Sequence, residues 1–73
     1  MKIFVELLDE GTTVWYPVEA IHMGGDLYQI TEVNSDPVDT LWAFNTGAKV
    51  RCRPTLTGDG TETILLAYEE FSN

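Results

Sequence analysis

Residues 13–30 read Thr13-Val14-Trp15-Tyr16-Pro17-Val18-Glu19-Ala20-Ile21-His22-Met23-Gly24-Gly25-Asp26-Leu27-Tyr28-Gln29-Ile30, and their reading decides the fold. Two runs rich in β-branched and aromatic residues flank Gly24-Gly25. That is the pattern of a long β-hairpin with the glycine pair as its two-residue turn. In the first run, period-two alternation sets Val14, Val18 and Ala20 on the inner face and Trp15 on the outside, over Pro17. A strand spanning 13–23 is long. Pro17 has no N–H to give a ladder and marks an edge or a bend. A long strand bent there can serve two sheets in turn. The return run, 27–33, puts Tyr28 and Ile30 on one face.

The other apolar runs are short enough to be strands laid against this hairpin. Residues 2–8 form a first strand, with Ile3, Val5 and Leu7 on one face and Phe4, Glu6 and Leu8 on the other. Asp9-Glu10-Gly11-Thr12 is a turn. Residues 34–40 are a polar loop holding at most one helical turn, which Asp36 would cap ahead of Pro37. Leu41-Trp42-Ala43-Phe44 is a brief apolar run. Residues 48–53 form a strand with Val50 and Cys52 facing one way and Lys49, Arg51 and Arg53 the other, ended by Pro54. Thr57-Gly58-Asp59-Gly60-Thr61 is a hairpin tip. The last strand is 62–68, and 69–73 form a loose end. Five strands with regularly spaced turns predict an all-β fold, a small five-stranded, partly open SH3-like barrel occupying 1–73 as a single domain.

The set Val14-Trp15-x-Pro17-Val18-Glu19-Ala20, then Tyr28-x-Ile30, then Trp42-x-Phe44-x-x-Gly47-x-x-Val50-x-Cys52 resembles a group of small, functionally uncharacterised bacterial proteins with SH3-like barrels. The likeness spans roughly residues 3 to 68. It implies the barrel fold and a bacterial, cytoplasmic setting, and it implies no catalytic or binding residues.

Composition narrows the function classes. The chain has 73 residues, 44% of them hydrophobic, which supports one compact core and little additional enclosed space. A single Cys excludes an internal disulfide and is compatible with a reducing compartment. No apolar run approaches the length of a membrane span, and Glu6 and Asp9 interrupt any secretory leader. Twelve acidic residues against four basic ones give a net charge of −8. That charge disfavours nucleic acid, whose binding needs neutralised phosphates, and favours a partner with a basic face.

No constellation for chemistry emerges. One His and one Cys, thirty residues apart, supply neither a nucleophile–base pair nor a metal set, so His22 reads as structural and Cys52 as a buried, inert thiol. The pairs Asp36/Asp39 and Asp9/Glu10 lack the oxygen series of a calcium loop. Residues 57–60 lack the Lys-Ser/Thr of a phosphate loop. The basic stripe of Lys49, Arg51 and Arg53 is expected to pair with carboxylates on neighbouring strands. The expectation is a non-enzyme with no cofactor and no metal.

The aromatic residues are more numerous than one small core encloses, and Trp and Tyr suit interfaces. Phe4, Leu8 and residues 64–68 also make the first and last strands apolar on both faces, which calls for a cover. The expected partner-binding residues are Trp15, Tyr16, Trp42, Phe44, Tyr68, Phe4 and Leu8. The expected function is a protein- or peptide-binding module, with a second copy of the chain as one candidate partner. The alternative is a small-ligand or cation-binding accessory domain with Trp15 or Trp42 lining a shallow site. Nucleic acid and membrane are not expected partners.

Overall fold

The computed structural model describes residues 1–72 and contains five strands: β1 (Lys2–Glu6), β2 (Trp15–Gly24), β3 (Leu27–Ile30), β4 (Lys49–Leu56) and β5 (Thr63–Glu70). They form one ring-closed sheet in the order β1-β2-β3-β4-β5. The expected class, all-β with a small five-stranded, partly open SH3-like barrel, is the architecture adopted. Consecutive strands are antiparallel. An odd number of alternating strands leaves the first and last running the same way. The closing contact between β1 and β5 is accordingly parallel, and it is confined to one residue pair, Phe4 opposite Leu66.

The long second strand divides its service. Trp15 to Glu19 pair with β1, and Ala20 to Gly24 pair with β3. Pro17 lies in the first half, where β2 has a ladder on one side only, so its missing N–H is accommodated as at a sheet edge. The same logic corrects the reading of Pro54. Pairing of β4 with β3 ends at Arg51, so Pro54 stands on a one-sided stretch opposite Leu65, and the strand continues through it to Leu56.

The hairpin turn is displaced by one residue from the expected glycine pair. Gly24 still pairs, with Leu27, and Gly25-Asp26 make the turn. A bulge between His22 and Gly24 absorbs the extra residue. Gly24 at φ +116° and Gly25 at φ +58° occupy backbone conformations that side chains disfavour, which is why both positions are glycine. β3 ends at Ile30 rather than 33: Thr31 and Glu32 both donate N–H to the Glu19 carbonyl, and Val33 stands exposed. β5 runs further than expected, through Glu70, and the Phe71 N–H reaches the Lys49 carbonyl at 2.8 Å. Of the expected loose end, Asn73 lies outside the described residues.

The core is Ile3, Val5, Val18, Ala20, Ile30 and Val50, closed by Tyr28, Trp42, Cys52 and Ala67. Except for Trp42 and Ala67, these lie on the faces that alternation groups together in each strand. Val14, grouped with Val18 and Ala20, instead precedes β2 and is only half-buried, its carbonyl taken by the Leu7 N–H. In the 34–40 loop a single turn forms, with the Thr40 N–H donating to the Asp36 carbonyl. Its tie is Asn34, not the Asp36 side chain. The Asn34 side-chain Oδ1 accepts from the Asp36 N–H at 2.9 Å, and its Nδ2 donates to the Thr40 carbonyl at 2.6 Å.

Candidate functional site

Outside the core, the outer faces of three strands meet a hairpin tip and make a groove of about 440 Å³. Phe4 contributes from β1, Trp15 from the start of β2 and Ile64 from β5, and these three supply its apolar surface. Alternation explains why. Ile3 and Val5 point into the barrel, so Phe4 between them points out. Thr13, Thr57 and Glu62 border the groove, and Glu62 is the only ionisable residue lining it among the described residues.

One wall is fixed by local chemistry. The β4–β5 tip closes with the Thr57 N–H donating to the Glu62 carbonyl at 2.9 Å and the Gly60 N–H to the Thr57 carbonyl at 2.8 Å. Asp59 gathers the tip from within. Its Oδ1 accepts from the Thr57 hydroxyl at 2.7 Å, the Thr61 hydroxyl at 2.8 Å and the Thr61 N–H at 3.1 Å. Those donors, the Thr57 hydroxyl first, hold the Asp59 carboxyl down at about 2. The sequence suggested a tip here but gave no sign that it walls a groove.

The expected partner-binding residues fall into separate places. Phe4 and Trp15 share the groove. Trp42 is 4% exposed and belongs to the core, and Phe44 is half-buried against it, so neither offers the surface expected of it. Tyr16 leans on Trp42, with ring centroids 6.1 Å apart, and remains partly exposed. Leu8 is exposed beside Leu41, whose carbonyl accepts the Leu8 N–H at 2.8 Å. Tyr68 is the extra residue of a bulge in β5, where Arg51 pairs with Glu69 and Cys52 with Ala67. Its ring lies 4.7 Å below the Arg53 guanidinium and its hydroxyl is 3.4 Å from Asp26 Oδ2.

Of the basic stripe, Arg51 alone pairs with carboxylates among the described residues, and Arg53 lies over Tyr68 instead. Arg51 bonds Asp26 at 3.1 Å and Glu69 at 3.4 Å, and its guanidinium sits 5.4 Å from the Phe71 ring centre. The Glu19 carboxyl is lowered by the terminal ammonium of Met1, 3.0 Å away. Cys52 is buried, and desolvation pushes its thiol up to about 11. His22 stacks on Tyr28 at 4.8 Å, and its Nε2 lies 2.7 Å from the Gly25 carbonyl, which ties the ring to the hairpin turn. Among the described residues, no three His, Cys, Asp or Glu side chains gather as metal ligands would, and no helix is long and apolar enough to cross a membrane.

The arrangement can hold a small apolar group against two aromatic rings and an isoleucine, with a carboxylate and hydroxyls at its margin. No family model, curated protein or solved structure matches this chain.

Proposed function

We propose that the chain is a non-catalytic module that binds a segment of a protein or peptide partner in the Phe4–Trp15–Ile64 groove. The observation that carries this reading is an apolar, aromatic-walled groove lying outside a core that is already complete without it. Aromatic side chains lose little conformational entropy on contact, so they make efficient anchors. The carboxylate at the margin and the net charge of −8 favour a partner with a basic face. The likeness to small bacterial SH3-like proteins and the lone buried thiol are in keeping with a cytoplasmic setting.

Selection from a displayed random-peptide library, followed by fluorescence titration, tests the reading. Selected peptides are expected to join apolar residues to Lys or Arg and to weaken as salt rises. They are expected to lose about ten-fold or more in affinity against Trp15→Ala. Peptides that bind Trp15→Ala as well as the parent would overturn it. The second reading, a cation-binding domain, draws on Phe4 and Trp15 standing near Glu62. Saturable quenching by a quaternary ammonium ion alone, with no peptide selected, would favour it.

A further inference from the structure

We propose that the partner segment binds in extended form, adding as a further strand along the open edge of β5 beside the groove. This rests on the function proposed above and specifies its mode. The barrel seam is the source of the argument. β5 is paired along its length with β4, through Thr63–Leu56, Ile64–Thr55 and Leu65–Pro54 at this end. On its other side it meets β1 at Leu66 alone.

β1 does not extend that ladder on either side of the pair. Beyond Phe4 its free side is taken by the 41–43 segment: the Ala43 N–H donates to the Glu6 carbonyl at 2.8 Å, Leu7 bridges Trp42, and the Leu8 N–H donates to the Leu41 carbonyl. In the parallel register residues 63–65 lie on the Lys2 side of the Phe4–Leu66 pair, and among the described residues they have no ladder partner on the side away from β4, which leaves them there as a sheet edge. A bare edge is a template for another chain.

The groove lies at that edge. Ile64 is one of its walls, and Phe4, whose partner Leu66 is the last β5 residue before the seam parts, is another. Strand addition joins main-chain hydrogen bonds to pockets for alternate side chains. An extended segment on 63–65 places one apolar side chain in the groove and directs its neighbours away from it. Glu62, immediately before the edge, faces the end of such a segment, and with the net charge of −8 it selects Lys or Arg there. No basic side chain lines the groove to compete.

The experiment uses a peptide from the library selection, resynthesised with single backbone N-methyl groups at each position in turn. Amide hydrogen exchange of the full chain is measured with and without it. Methylation at alternate positions is expected to weaken binding about ten-fold, the worth of a main-chain hydrogen bond left unmade, while intervening positions tolerate it. Amides of Thr63 to Leu65 that point away from β4 are expected to gain protection. If every methylated peptide binds equally and Trp15→Ala still abolishes binding, strand addition is refuted and the groove function stands. If neither change matters, both readings fall. Should the same amides become protected with protein concentration alone, in step with dimer formation by sedimentation, the occupant is a second copy of the chain and the partner-segment proposal is overturned.

Discussion

Replacing Trp42 with Phe isolates what the buried indole contributes. Trp42 is 4% exposed, yet its Nε1–H is buried with no acceptor among the described residues. A buried donor left unpaired costs about 1–3 kcal/mol. Phe keeps a ring against Tyr16 and the core while deleting that donor. The smaller ring leaves roughly 40 Å³ unfilled, worth ~1 kcal/mol at the usual cavity coefficient. The apolar area no longer buried is worth about another 1 kcal/mol. Loss and relief nearly cancel, so Trp42→Phe is expected to change stability by no more than about 1 kcal/mol in either direction. Urea unfolding followed by far-ultraviolet circular dichroism reads this, as a midpoint shift of about 1 M or less for a domain of this size. A loss above about 2.5 kcal/mol would refute the reasoning, because it would mean that the N–H has a partner, such as an internal water, that Phe cannot replace. The variant has a second use. It leaves Trp15 as the sole Trp, so that fluorescence reports on the groove alone.

Two further outcomes concern ionisable groups. Asp59 has its folded-state pKa depressed, so its contribution to the tip is present above about 4 and is lost as pH falls through about 2. A carboxyl chemical-shift titration should show a midpoint near 2, and one near the ordinary 3.8 would mean that the three donors do not hold it. Cys52 has its folded-state pKa raised from 9.0 to about 11, so the stability it contributes is full below pH 9 and is lost as pH rises through about 11. At pH 8 the native thiol should resist a disulfide reagent until urea unfolds the chain, and labelling of native protein at the rate of a free thiol would contradict its burial.

Much of the barrel was legible because alternation has a period of two and a one-residue slip turns every side chain over. Val18 and Ala20 are inner positions on that ground, and Ile3 with Val5, Tyr28 with Ile30, and Val50 with Cys52 each share a face that the barrel turns inward. Errors clustered where a local signal has more than one solution. Gly24-Gly25 admits two turn placements, and the bulge at Met23 chose the later one. Pro54 ends a strand that is paired on both sides but not one paired on a single side. The aromatic residues carry the least local information about their place. Trp42 and Phe44 are in a run too short to show a period, and the bridge from Leu7 to Trp42, with the hydrogen bonds on either side of it, brings that run over the core.

The sequence by itself determined the all-β class and which residues share a face in the first four strands, because alternation is a local property of the chain. Tertiary structure alone decided which surface residues stand together. Phe4, Trp15, Glu62 and Ile64 come from β1, the start of β2, the β4–β5 tip and β5, and nothing in their spacing links them. They meet because five alternating strands close with the first and last parallel, at one residue pair. That closure brings the β4–β5 tip beside the outer face of β1 and leaves an edge there.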